Sequence, residues 1–217
     1  MTAVVSAAGK SERIDGRRLR SERTRQSIVE AYLALAHENS PRAPTAVETA
    51  QRAGYSVRSI FERFPDIHAL QVAAVDHAMA QVAALAPTRD SNGDRPTRIR
   101  TQVETRGRLC ERWLPLWRSL VANYGDSAEL RQRIAQSRGR AVARLELMYA
   151  PELSILGETE RRNTLIALAA LTDIESWASM REFFGLTFEE ACAAWCESID
   201  RLLPPGLPIS GDEGTPG

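Results

Sequence analysis

Apolar residues recur at helical spacing along almost the whole chain, and short polar clusters holding glycine or proline separate the runs. From about Glu22 to Glu38, Ile28, Ala31, Tyr32, Leu35 and Ala36 mark one face of an amphipathic helix, which Asn39-Ser40-Pro41 ends. Thr45-Ala46-Val47-Glu48 has the form of a capping box, so Thr45 is expected to start a short helix that stops near Gly54. Ser56 offers the next N-cap, for a helix through about Phe61, and Asp66 a third, for a helix from Ile67 to about Leu85. Pro87 to Pro96, with Asn92-Gly93 inside it, is a polar break and a candidate boundary. A long helix is expected from Thr97 to Ala122, bent at Pro115. Asp126-Ser127-Ala128-Glu129 repeats the capping-box form and starts one or two helices ending before Pro151. An apolar helix is expected from Glu158 to Phe184, stopping at Gly185, and Thr187 to Glu190 cap a last helix ending near Leu203. The pattern contains no strands and no internal repeats. It predicts an all-α protein of about nine helices.

Composition narrows the class. The chain has 217 residues, enough for one medium domain or a small one joined to a larger one. No apolar run approaches the roughly 20 residues that span a bilayer, the first residues lack a signal-peptide core, and three cysteines make no disulfide framework. These features point to a soluble cytosolic protein. The 28 basic and 28 acidic residues cancel, but unevenly. Residues 1–70 carry 11 basic against 8 acidic groups, and residues 71–217 carry 17 against 20. Lys10, Arg13, Arg17, Arg18, Arg20, Arg23 and Arg25 crowd the positive end. Such sign asymmetry suits a polyanion partner, although a solvated basic arm has the same composition.

Three short helices within about 45 residues, the middle two joined at a glycine turn, have the spacing of a helix-turn-helix. Ala50 is small where the first helix of the pair must approach the second, and Gly54 suits a left-handed turn. Ala53, Tyr55 and Ile60 are expected to pack inward, leaving Val57, Arg58 and Ser59 on the first turn of the reading helix. Arginine there can make a bidentate contact to guanine.

The stretch PTAVETAQRAGYSVRSIFERFPDIHAL resembles the DNA-binding domain of TetR-type transcriptional regulators. Thr45, Ala50, Ala53-Gly54, Ser56, Ser59-Ile60-Phe61, Phe64 and Leu70 carry the likeness. It is close over residues 22–70 and extends loosely to SWASMREFFGLTFEEACAAWCESIDRLL. The resemblance implies a basic arm (1–21), a three-helix DNA-binding domain (22–70), a larger helical ligand-binding and dimerisation domain (71–203) and a disordered tail (204–217). It implies contacts to double-stranded DNA from Arg23, Arg25, Thr45, Ser56, Val57, Arg58, Ser59, Phe61 and Arg63. Two positions depart from the pattern. Phe61 lacks the hydroxyl of the family's usual tyrosine, and Ile67 replaces its usual lysine, so two phosphate contacts are missing. Ala46 and Thr49 also stand where larger apolar residues are usual, and a buried Thr49 must find a backbone acceptor.

In family members the C-terminal domain dimerises and encloses a small-molecule cavity. Leu168, Thr172, Phe184, Ala191, Trp195 and Ile199 offer more apolar surface than one thin subunit is expected to bury, which favours a homodimer. Trp113, Trp117, Tyr124, Met148 and Trp177 suit a largely apolar effector and suit a solid core equally well. Glu111, Arg112 and Asp173 read as solvated helix charges. Catalysis finds no support: there is no Gly-x-Ser-x-Gly elbow, no HExxH and no phosphate loop. His37, His68 and His77 stand apart from Cys192 and Cys196, so neither a metal nor another cofactor is expected. The expected function is a homodimeric repressor released from a palindromic operator by an effector. An orphan regulator or interaction module with weakened DNA binding is the alternative.

Overall fold

The computed structural model describes residues 5–85, 91, 93–123, 125 and 127–205. Among them are ten α-helices, one π-helical segment and no strand. The helices are α1 (Val5–Glu38), α2 (Ala46–Ala53), α3 (Val57–Phe61), α4 (Ile67–Leu85), α5 (Arg95–Asn123), α6 (Ala128–Met148), α7 (Ala150–Leu153), α8 (Glu158–Leu171), α9 (Ile174–Ala178) and α10 (Phe188–Leu202); the π-helical segment is Ser179–Phe183.

The chain forms two compact units, Met1–Ala83 with Pro115–Arg133, and Ala84–Leu114 with Ile134–Gly217. This division differs from a boundary at residue 70. It falls inside α5 at Pro115, the residue that lacks an N–H for the helical ladder.

In the first unit, α1 buries Ile28, Val29, Ala31, Tyr32, Leu35 and Ala36 on one face, as their spacing requires. Burial pushes the Tyr32 phenol up to about 12, and a hydrogen bond to Gln71 offsets part of that rise. The helix continues back to Val5, where the lack of apolar periodicity predicts a flexible arm. Extending a formed helix needs no new nucleus, and alanine and arginine extend it at little cost. Apolar periodicity, absent from that stretch, could not reveal it. Polar contacts explain why 115–133 belongs to this unit. Asp76 of α4 takes both Nε and Nη2 of Arg133 at 3.0 and 3.1 Å, and His68 lies 3.1 Å from the Ser127 hydroxyl. Ser127 caps α6 by accepting from the Leu130 N–H at 3.1 Å. The expected cap Asp126 lies outside the described residues.

The second unit buries Trp177, Trp195, Tyr149, Leu145, Met148, Leu153 and Leu168 almost completely. Arg98 and Glu152 pair inside it, with side chains 6% and 2% exposed. The apolar helix expected over 158–184 is interrupted. Thr172 turns its hydroxyl onto the Leu168 carbonyl at 2.8 Å, and the Arg106 Nε takes the Thr172 carbonyl at 2.9 Å. Asp173, extended at φ −68° and ψ 155°, then caps α9 by accepting from the Glu175 N–H. These local bonds compete with the helical ladder and break it. The expected cap at Thr187 is present, with Glu190 closing the box. The end of the tail, 206–217, lies outside the described residues.

Candidate nucleic-acid interface

The pair α2 and α3 is built from caps. Glu48 N–H donates to Thr45 Oγ1 at 3.2 Å and Thr45 N–H to Glu48 Oε2 at 2.9 Å, completing the capping box. Arg42 holds the same carboxylate with both Nη atoms, at 3.1 and 2.7 Å. Arg42 first, and Thr45 after it, lower the Glu48 pKa to about 2. Thr49 is fully buried, and its hydroxyl donates to the Thr45 carbonyl at 2.8 Å, which answers its need for an acceptor. At the turn, Gly54 is left-handed at φ 72°, and the Tyr55 and Gly54 N–H groups close α2 on Ala50 and Gln51. Ser56 then caps α3, accepting from Ser59 N–H at 3.2 Å. Ile60 and Phe64 seat the module from below, at 0% and 2% exposure.

What remains on the outer face is a small set of side chains. Arg58 projects into solvent with its side chain 88% exposed and donates its Nε to Glu62 at 3.1 Å. Phe61 is 48% exposed, while Val57 and Ser59 are half-buried at its flank. Thr45 and Ser56 are exposed but committed to their caps. The arginines divide. Arg23 is exposed; Arg25 lies over the Phe64 ring at 4.9 Å; and Arg63 folds back, donating Nη1 to the Ser59 carbonyl at 2.8 Å. Arg63 therefore finishes α3, taking a carbonyl that the helix end leaves over. Tyr55, expected to pack inward, is exposed instead, because the left-handed turn at Gly54 directs it out. It is a polar, solvent-facing ring at the turn tip that residue spacing missed. The surrounding cations Arg42 and Arg52 are occupied by Glu48 and Glu38.

In the second unit, two of the residues expected to line an effector cavity are core. Met148 and Trp177 are fully buried. Trp177 packs 4.8 Å from the Trp195 centroid and 5.4 Å from Phe188, and its Nε1 donates to Glu111 at 3.2 Å. Trp113 and Trp117 are half-buried on α5, one on each side of the division at Pro115. Tyr124 lies outside the described residues. An open surface cleft of about 450 Å³ is lined by Arg108, Glu111, Arg112 and Phe188, none of them expected to bind a ligand. Glu111, read as solvated, is held by Trp177 and by Arg181 at 2.7 Å.

The expected dimer residues behave differently from one another. Leu168, Thr172, Ala191, Trp195 and Ile199 are buried within the single chain and spend their surface on its own core. Phe184 is 64% exposed and stacks edge-on with Phe183, itself 80% exposed. Ile166 and Leu202 are the other large apolar side chains left open on α8 and α10. Helical spacing locates an apolar stripe, but not whether its own chain already covers it. Among the described residues no group of His, Cys, Asp and Glu is arranged to hold a metal ion. Burial pushes the Cys192 thiol up to about 11. No helix among the described residues is long and apolar enough to cross a membrane.

An all-helical chain with a capped helix-turn-helix near its N-terminus and a second helical unit beyond it defines a recognisable class of architecture. The chain has the fold of the TetR-family transcriptional regulators. A TetR-family transcriptional regulator from Streptomyces coelicolor superposes with a TM-score of 0.67 at 17% identity, over 83% of this chain and 80% of that one. A TetR-family member from Streptomyces coelicolor A3 gives 0.58 at 20% identity, over 84% and 99%. The multidrug binding protein EbrR, solved with imidazole, gives 0.54 at 20% identity, over 86% and 92%. No family model and no curated protein matches the sequence.

Proposed function

We propose that the protein is a sequence-specific DNA-binding transcriptional regulator, acting as a homodimeric repressor that a small-molecule effector releases from a palindromic operator. The observation that carries this reading is α3. It is capped by Ser56, supported from below by Ile60 and Phe64, and it presents Arg58 almost fully exposed. A guanidinium held there can read the O6 and N7 edge of guanine in the major groove. The exposed Arg23 of α1 and the exposed Tyr55 of the turn supply phosphate contacts, Tyr55 in place of the hydroxyl that Phe61 lacks. Arg25, Val57 and Ser59 position the module, and Arg63 fixes the end of its reading helix. The exposed Phe183, Phe184, Ile166 and Leu202 are the apolar side chains that a second copy would cover. The effector must bind one conformational state better than the other, since equal affinity shifts nothing. The fold shared with a TetR-family transcriptional regulator and with the multidrug binding protein EbrR supports this reading at the level of regulation and small-molecule binding.

Selection from random duplex DNA with the purified protein tests it. Recovery of a palindrome is the expected result; no enrichment at low salt would favour an interaction module instead. On the recovered site, Arg58→Ala should cost about 1–3 kcal/mol at one symmetric pair of positions. A uniform loss over all sequences would make Arg58 a phosphate contact. Deleting residues 1–20 should flatten the dependence of log affinity on log salt.

A further inference from the structure

Helix α1 begins at Val5, yet among the described side chains its first buried one is Ile28. Every residue from Arg18 to Arg23 is exposed. At 1.5 Å per residue, positions 5–20 run about 24 Å along the helix before its packed part. A helical stretch without a buried apolar face is not held by packing. Its charges are sorted by helical register instead. At about 100° per residue, positions 10, 13, 17 and 20 (Lys10, Arg13, Arg17 and Arg20) fall within an arc of about 80°. The acidic positions Glu12, Asp15 and Glu22 fall within a second arc of about 80°, roughly opposite the first. The basic row continues the row of Ile28, Ala31 and Leu35, so it lies on the buried side of α1, where α2 packs. Arg25 lies over the Phe64 ring at 4.9 Å, three residues beyond α3, so the overhang leaves the unit beside the end of the reading helix. Arg18, Arg20 and Arg23 are exposed, and among the described residues none of them pairs with a carboxylate; Arg20 donates its Nε to the Gly16 carbonyl at 3.1 Å, one turn back. Arg42 and Arg52, by contrast, already hold Glu48 and Glu38.

We propose that the N-terminal part of α1 is a continuous basic helix that lies against the duplex outside the recognition site, with the row of Lys10, Arg13, Arg17 and Arg20 meeting phosphates of the flanking DNA. The proposal rests on the DNA-binding reading above and adds to it a second contact surface, one that reads no bases. Duplex DNA carries one negative charge per about 1.7 Å of its axis, so any flanking sequence satisfies the row. The acids on the opposite arc are repelled by the same phosphates and fix which side of the helix turns to them. A duplex cut to the ends of the palindrome leaves the row without a partner.

The test uses the full-length protein and two duplexes that carry the palindrome recovered by selection. One ends at the palindrome, and the other has about ten further base pairs of unrelated sequence on each side, one turn of duplex. At one fixed low salt concentration the flanked duplex should bind about tenfold tighter or more, and its slope of log affinity against log salt should be steeper by about 2–3 per protomer. Lys10→Gln, Arg13→Gln, Arg17→Gln and Arg20→Gln together should abolish both differences and leave affinity for the trimmed duplex within about twofold. Leu19→Pro, at an exposed position, keeps every charge and breaks the helix, so it should lose most of the flank effect. Equal affinity for the two duplexes overturns the proposal while the palindrome is still bound and the DNA-binding reading stands. A flank effect kept in full by Leu19→Pro also overturns it and leaves a flexible basic tail. If selection recovers no palindrome, the four-fold variant is compared with wild type on random-sequence duplexes, and equal affinity there overturns it. A four-fold variant that loses binding to phosphatidylserine vesicles, and none to duplex, would assign the row to a lipid surface instead.

Discussion

Replacing Glu152 by Gln should be among the most damaging single changes in the second unit. The substitution keeps the volume and removes the charge. Arg98 is then left with its side chain 6% exposed, facing the Gly93 and Met148 carbonyls at 3.0 and 2.5 Å and one amide oxygen. Burial pushes the Glu152 carboxyl up, but its bonds to and the charge of Arg98 more than reverse this, so the folded protein holds it ionised below its ordinary range. Breaking a buried pair from one side costs about 3–5 kcal/mol, because the remaining charge loses its counter-ion without regaining water. For a chain of this size that corresponds to roughly 6–20 °C in Tm. Removing both charges, as Arg98→Met with Glu152→Leu, should recover most of the loss. It should stop about 1–3 kcal/mol short of wild type, since the two carbonyls still lack a donor. Urea unfolding at one fixed protein concentration, followed by the fluorescence of the buried Trp177 and Trp195, measures Glu152→Gln and, for the cycle, the wild type, Arg98→Met, Glu152→Leu and the double variant. A double variant as unstable as the two single losses added together would refute the reasoning, because it would show that the charges do not depend on each other.

Three further outcomes follow from close contacts and caps. A methyl group at Gly107 would sit 2.7 and 3.0 Å from Trp177 ring atoms and 3.2 Å from Phe188, so Gly107→Ala should destabilise by about 1–3 kcal/mol despite its better helix propensity; a higher Tm would contradict that packing. Thr49→Val should be neutral or stabilising by up to about 1 kcal/mol, because the Thr45 carbonyl keeps the Thr49 N–H at 3.0 Å when the hydroxyl goes; a loss above 2 kcal/mol in urea titration would show that the hydroxyl does more. The Glu48 carboxyl falls from an ordinary 4.5 to about 2 in the folded chain, so its contribution is complete above pH 4.5 and disappears as pH drops towards 2. Glu48→Gln should therefore flatten the dependence of stability on pH in that window, and unchanged slopes would remove the capping-box account.

The features legible from sequence are those decided within about four residues. The boxes at Thr45 with Glu48 and at Thr187 with Glu190, the caps at Ser56 and Asp66, and the left-handed Gly54 all stand where residue order places them. A cap needs only a side-chain oxygen and an N–H two or three residues on, so no distant part of the chain can alter it. The all-helical class was readable for a related reason, since periodicity repeats along every segment. The break at Thr172 is intermediate. Its Asp173 cap is local, but an arginine 66 residues earlier supplies the bond that fixes it.

Tertiary structure alone decided how each apolar stripe is used. Leu168, Trp195 and Ile199 were visible as a stripe, yet their burial inside one chain, rather than against a second, depends on how closely the neighbouring helices approach. The same holds for Tyr55, turned outward, and Arg63, turned back on Ser59. Arg98 finds Glu152 across 54 residues, and Arg144 donates to Gln102 across 42. Nothing in the order of residues distinguishes these two arginines. Which one meets a carboxylate is set by long-range packing, because Coulomb and desolvation energies depend on distance and burial in the folded chain rather than on separation along it.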